Sequence, residues 1–300
     1  MNTSHDSDAE RLHRVPFAQF FFTTGLQFAL ALGAFRLIAP AAFANELKHP
    51  WMIVAWTVGF GLPLSLFEYL YHRYLLHSAV LPFLRAMHRS HSKHHGLTAV
   101  KAAVTPKEPD LLVPVKNEYA VEEEHQEEDM MFPIYALSIF EALFVVTLGV
   151  PAAMLFPGQP VFFSVITAVA LYYGSYELWH AIMHLPYAHF WKPAMEHKRY
   201  GNTVRYVYGF HLMHHWRPTA NLAVVGFWGY ALWDHLFGTH HRPVRTPLVG
   251  AQVNFYDADM PRPRWPVALM DKWQAGLYQW SRKVEAVFAR IFLGSGKAKR

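Results

Sequence analysis

Six histidines of this chain fall into two triplets of identical spacing. His91, His94 and His95 stand in Ser90-His91-Ser92-Lys93-His94-His95, and His211, His214 and His215 in Phe210-His211-Leu212-Met213-His214-His215. Residues at i, i+3 and i+4 share one face of an α-helix, so each triplet predicts three imidazoles one turn apart, able to grip a metal ion. Each triplet also has a pair upstream, His72 and His77 before the first and His180 and His184 before the second. The order is pair, triplet, pair, triplet. A lone triplet reads equally well as a surface histidine patch or a structural zinc site, whereas four clusters in repeated order point to ten histidines and two metals.

Neutral imidazole binds zinc, copper, iron and nickel, so histidine alone does not name the metal. The chain has no cysteine, which excludes disulfides, thiolate zinc sites and an iron–sulfur cluster ligated by this chain. His180 and His184, at i and i+4, can share one metal from one helix face. His72 and His77 are five apart, about 140° around an ideal helix, which assigns them to different metals or to a helix end. Ligating histidines donate their second nitrogen to a carboxylate or carbonyl, and Glu68 and Glu177, one turn before His72 and His180, are placed to accept it. Each reads otherwise as a carboxylate at a membrane interface. His88 extends the face of His91. His189, His197, His235, His240 and His241 have no partner at ligand spacing and read as structural or surface groups. Glu141, two turns inside an apolar run, is either functional or hydrogen-bonded between helices.

The elements that must position these residues are apolar. Of 300 residues 53% are hydrophobic and only 16% charged, against roughly 25% in soluble domains, which points to lipid as the solvent. A net charge of +5 and pI near 9.3 do not indicate nucleic acid, because the basic residues flank apolar spans without forming a stripe with stacking aromatics. Anionic headgroups suit that charge better.

Residues 1–14 read as a polar tail, and Val15 to Phe35, without a charge, as the first bilayer-length helix. A secretory signal cleaved after Ala42-Phe43-Ala44 is the alternative, but the run exceeds the roughly 7–15 apolar residues of such signals. Trp51 to Phe67 is the second run and leads into His72. Pro133 to Phe156 and Val161 to Trp179 form a hairpin broken at Pro157-Gly158-Gln159-Pro160. With four crossings, the positive-inside rule puts Arg11, Arg14, Arg73, Arg85, Arg89, Lys93, Lys192, Lys198, Arg199 and the C-terminal basic residues in the cytoplasm, on the side of all four histidine clusters.

Between the first triplet and the third run, Gly96 to Met130 reads as a loop long enough for a lid, its acidic run Glu122 to Asp129 as a solvated stretch. Ala223 to Phe237 reads as an interfacial or re-entrant helix, and Val267 to Phe292 as an amphipathic helix on an anionic surface. The organisation is therefore a tail (1–14), a membrane domain with the histidines (15–245), and a linker with a membrane-surface helix (246–300).

The segment Glu68-Tyr69-Leu70-Tyr71-His72-Arg73-Tyr74-Leu75-Leu76-His77, then His91 with His94-His95, His180 with His184, His211 with His214-His215, Asn221, and Leu232-Trp233-Asp234-His235-Leu236-Phe237-Gly238-Thr239 together resemble the fatty acid hydroxylase (sterol desaturase) superfamily over roughly residues 60–245. The resemblance implies an all-α integral membrane protein with about four transmembrane helices and a cytosolic helical cap holding two iron ions, which zinc can replace in purified protein. It makes all ten histidines ligands and adds Asn221 and Asp234 to Glu68 and Glu177 as supporting residues. The implied activity is hydroxylation, with dioxygen, of an unactivated C–H bond of a fatty acyl, sphingolipid, sterol or related lipid, in a bacterial inner membrane or endoplasmic reticulum. Desaturation starts from the same hydrogen abstraction and is the nearest alternative. The long acidic loop departs from the family pattern.

Two external electrons are needed, yet there is no Gly-x-Gly-x-x-Gly signature, no thiolate, and an N-terminal tail too short for a cytochrome b5-like domain. The expectation is a separate donor of ferredoxin, rubredoxin or cytochrome b5 type with its reductase. A metal transporter would carry ligands along its spans, and a zinc hydrolase fewer ligands with an open position beside a general base.

Overall fold

The computed structural model describes residues 17–80, 85–104, 112–127, 129–242, 252–254 and 262–292. The expected tail at 1–14, residues 105–111 with Pro106 and Pro109, Glu128 and most of the linker after 245 lie outside them. In chain order the main elements are α1 (Phe17–Ile38), α2 (Pro40–Glu46), α3 (Pro50–Tyr71), α4 (Arg85–Leu97), β1 (Val100–Ala102), β2 (Leu112–Asn117), α5 (Ala136–Phe144), α6 (Val150–Leu155), α7 (Val161–Met183), α8 (Lys192–Met195), α9 (Gly201–Trp216), α10 (Leu232–Phe237), β3 (Gln252–Asn254) and α11 (Val267–Phe292). Of the described residues, 70% are helical. π-Helical turns follow α3 (His72–Leu76), join α5 to α6 (Val145–Gly149), and precede α8 (Tyr187–Trp191).

Among the described residues, four helices are long and apolar enough to cross a membrane: Phe17–Ile38, Pro50–Leu76, Ala136–Leu155 and Val161–Met183. They match the four apolar runs, and Ala42-Phe43-Ala44 falls inside α2. The chain divides into two compact units.

The first unit comprises Met1–Phe67, Ala120–Arg205 and Val224–Ala231. Its core packs Leu64, Leu137, Val161, Val165 and Val169 with aromatic contacts such as Phe67 on Phe144, at 4.9 Å between ring centres. Phe22, Leu37, Ile38, Trp51, Met154 and Leu155 stay exposed, an apolar surface suited to lipid. The first turn of α7 is capped from α2, where the buried Glu46 carboxylate accepts the Phe163 N–H at 2.7 Å and the Phe162 N–H at 3.3 Å. That satisfies two of the helix's orphan donors, while burial pushes the Glu46 pKa up.

The helix expected across Ala223 to Phe237 is absent from its first half. Gly226, Trp228 and Gly229 take φ of 58°, 49° and 100°, and left-handed residues cannot propagate a right-handed helix. Only Leu232–Phe237 is helical. The Trp228 indole N–H donates to the Val58 carbonyl at 3.0 Å, so this aromatic turn is fastened to α3.

The second unit comprises Glu68–Tyr119, Tyr206–Ala223 and Leu232–Arg300. It adds a small three-stranded sheet to a mostly helical protein, with two of the strands in the segment read as a lid loop. β1 pairs antiparallel with β2 (Val100 opposite Asn117, Ala102 opposite Val115), and β2 with β3 (Val113 opposite Val253). Val113 and Val115 are buried while Leu112 and Pro114 are exposed, the alternation of a half-buried strand. In the first unit, part of the acidic run forms a tight turn at Glu124–Glu127, held by the Gln126 side-chain carbonyl, which accepts the N–H groups of Glu122 and Glu123.

A Cβ at Gly61 would lie 2.1 Å from the Trp228 indole nitrogen. Gly61→Ala should therefore cost about 1–3 kcal/mol, read as a lower thermal midpoint in detergent. In a Trp228→Ala background the same change should cost little, the non-additivity expected of residues in contact.

Candidate metal centre

The second unit gathers five histidines. One ring nitrogen from each of His72, His77, His91, His95 and His214 lies within 4.8 Å of the others. The Nε2 atoms of His72 and His91 are 3.2 Å apart, those of His77 and His91 3.1 Å, and those of His77 and His214 3.1 Å. Two nitrogens sharing one tetrahedral ion at roughly 2.0–2.1 Å would stand about 3.3 Å apart. An all-imidazole donor set at this spacing fits iron or zinc, and the group could hold a metal ion.

His72 and His77 reach it through the π-turn. The His77 N–H donates to the His72 carbonyl at 3.2 Å, an i to i+5 bond that puts an extra residue into the turn. Five residues then nearly close one turn, and the two rings stack at 5.0 Å. The 140° separation expected from an ideal helix is thereby removed, and the pair serves one group.

The triplets are split between two companies. From α4, His91 and His95 enter the five-histidine group, whereas His94 packs against His215 at 5.0 Å. From α9, His214 enters the group, whereas His211 and His215 lie 4.9 Å apart beside the fully buried Tyr119. Neither triplet is a self-contained metal grip. In the first unit, His180 and His184 at the end of α7 are buried with rings 5.0 Å apart.

Backbone carbonyls take the nitrogens that turn away from the group. His72 Nδ1 donates to the Leu222 carbonyl at 2.6 Å, and His214 Nδ1 to the Ala220 carbonyl at 2.9 Å. A carbonyl only accepts, so the proton sits on Nδ1 and the lone pair of Nε2 faces the other rings. His215 Nδ1 lies 3.1 Å from the Thr98 carbonyl, and in the first unit the ring of His180 bonds to the backbone of Met130. The sequence reading gave this task to carboxylates. At His72 it falls to Leu222, with Glu68 buried nearby in the chain, and Glu177 accepts the Phe132 N–H at 3.0 Å.

Asn221 and Asp234 hold the segment that presents these carbonyls. Asn221 has φ of 51°; its side-chain amide donates to the carbonyls of Phe210 (2.9 Å) and His241 (3.0 Å) and accepts the His241 N–H (2.7 Å). The fully buried Asp234 accepts the N–H groups of Leu222 and Ala223, each at 2.9 Å, and the Thr239 hydroxyl at 2.7 Å. Burial pushes its pKa up, opposed by these donors. Arg73 donates to the Thr219 carbonyl at 2.9 Å and forks onto Asp271 of α11 at 2.9 and 2.6 Å, where Tyr74 also donates. Sequence reading missed Arg73 and Asp271 as partners, and also Tyr119 and Thr98.

The other histidines are anchors or surface groups. His88 Nδ1 donates to the Leu76 carbonyl at 2.8 Å. His240 bonds the Tyr206 hydroxyl at 2.8 Å and stacks on His235 at 3.9 Å, and burial pulls its pKa down to about 4. Glu141 is buried within α5.

Burial, reinforced by neighbouring histidines, holds the pKa of His77 and His91 well below the usual imidazole range. Both are therefore neutral near pH 7, the form a metal requires. Against protein-family models, curated proteins and solved structures, the chain finds no match.

Below about pH 6.5 the unfolded chain takes up protons that folded His77 and His91 refuse. Stability of the metal-free protein should thus be flat above that value and fall as pH drops beneath it, checked by denaturation midpoints across this range. Asp234→Ala strands three donors and should cost about 3 kcal/mol, with loss of bound metal measured in parallel.

Proposed function

We propose that this protein is a membrane-bound diiron oxygenase that hydroxylates an unactivated C–H bond of a lipid, using dioxygen and two external electrons. The observation that carries the reading is the convergence of five imidazoles from three separate stretches of chain, in a protein with four described helices fit to cross a membrane. Such a donor set, free of thiolate and rich in nitrogen, suits iron, with zinc able to occupy the same ligands. Bound iron supplies the activation of dioxygen that amino-acid side chains do not.

His72, His77, His91, His95 and His214 hold the first metal. His94, His211 and His215 would hold the second. The Leu222 and Ala220 carbonyls orient two ligands and keep their protons on Nδ1. Tyr69, Leu212 and Leu222, each almost wholly buried, keep water from this part of the unit. The basic residues flanking the spans support a cytosolic position for the histidines, where a separate carrier of ferredoxin, rubredoxin or cytochrome b5 type would deliver electrons.

Lipid extracts from cells with and without the protein, compared by mass spectrometry, test the proposal. A gain of one oxygen supports hydroxylation and a loss of two hydrogens indicates desaturation; no changed lipid under aerobic, iron-replete conditions overturns it. His214→Ala should lower iron content and abolish product while the protein still inserts in the membrane. Retained turnover would remove His214 from the ligand set.

A further inference from the structure

His77 has a second neighbourhood. Beside it the second unit opens a cleft of about 480 Å³, lined among others by His77, Ser78, His88, Asp271, Gln274 and Tyr278. That volume falls within the roughly 300–1,000 Å³ of small-molecule sites. Asp271, Gln274 and Tyr278 lie at i, i+3 and i+7 on α11 and so form one stripe along it. The opposite stripe carries Trp273, Leu277 and Trp280, exposed at 62%, 50% and 63%. The helix that walls the cleft therefore turns an aromatic, apolar face outward, the kind of face that sits in a lipid interface.

The lining chemistry narrows what the molecule is. Among the described residues, no lysine or arginine lines the cleft. The guanidinium of Arg73, next to Asp271, is buried and already bonded to Asp271 and to the Thr219 carbonyl. His88 donates Nδ1–H to the Leu76 carbonyl, which leaves Nε2 as an acceptor in the neutral ring. Ser78, Gln274 and Tyr278 can each donate and accept. A hydroxyl or amide can both give and take hydrogen bonds here. A carboxylate or phosphate brings a charge to a cleft whose described residues offer it no lysine or arginine and already hold the Asp271 carboxylate, and it brings no donor.

We infer that this cleft seats the polar head of an uncharged, hydroxyl- or amide-bearing lipid and discriminates against anionic lipids. The inference deepens the proposed oxygenase reading by naming its substrate class, but binding is separable from turnover. The test uses the full chain in phosphatidylcholine nanodiscs with a long-chain primary alcohol carrying a diazirine, and the matching carboxylic acid. The alcohol should label peptides containing residues 77–88 or 271–278 and be displaced by unlabelled alcohol, with the acid labelling about tenfold less. Gln274→Leu should weaken alcohol labelling roughly three- to tenfold, the worth of one hydrogen bond, and Gln274→Arg should shift the preference toward the acid. Equal labelling by the acid, or labelling indifferent to both Gln274 changes, overturns the inference. Labelling needs neither iron nor dioxygen, so an unlabelled cleft beside iron-dependent lipid oxidation sinks the cleft alone. A labelled cleft with no oxidised lipid sinks the oxygenase alone.

Discussion

Two hydrogen bonds, from His72 Nδ1 to the Leu222 carbonyl and from His214 Nδ1 to the Ala220 carbonyl, decide what the histidine group can do. A neutral imidazole has one N–H, and where it is donated decides which nitrogen keeps a lone pair. Each bond contributes only about 1 kcal/mol to stability, but together they aim two Nε2 atoms into one space. Carbonyls serve better here than carboxylates. They add no charge to a region where burial already disfavours ions, so any charge among the imidazoles would be that of a bound metal ion.

Holding a backbone segment in this pose takes side chains of its own. The chain turns through a left-handed Asn221, whose amide is tied at both ends, and Asp234 collects the amides of Leu222 and Ala223. Arg73 takes the Thr219 carbonyl and is matched by Asp271. Buried ions such as Asp234 and Arg73 are costly unless their hydrogen-bonding capacity is filled, and each has at least three bonds. The charges are thus placed one layer behind the imidazoles, where they set position and do not themselves face the metal ligands.

Much of this was legible in the sequence. The four long helices follow from uninterrupted apolar length, and the hairpin from Pro157 and Pro160. The i, i+3, i+4 spacing put the triplets on helices. The division of each triplet was not legible, because helical periodicity states which residues share a face but not which neighbours that face meets. His72 and His77 looked divergent because the estimate assumed 3.6 residues per turn, and no residue type announces a π-turn. Leu222 and Ala220 contribute only backbone, which carries no chemical label. Gly226 and Gly229 did carry a signal, since two glycines three apart weaken a helix, but the aromatic residues around them suggested a membrane surface instead. The strands escaped notice because they are short, two of them lying in a segment that reads as a loop and the third in the linker after residue 245.

The pairing of Arg73 with Asp271 spans 198 residues and imposes an order on assembly. A nascent chain that has just delivered both histidine triplets still lacks α11, so its buried guanidinium has no carboxylate and the turn carrying His72 and His77 is not yet fastened. The turn is fastened only once α11 has been made, so a product truncated before Val267 would lack the Arg73–Asp271 pair and would offer a metal ion a looser set of imidazoles.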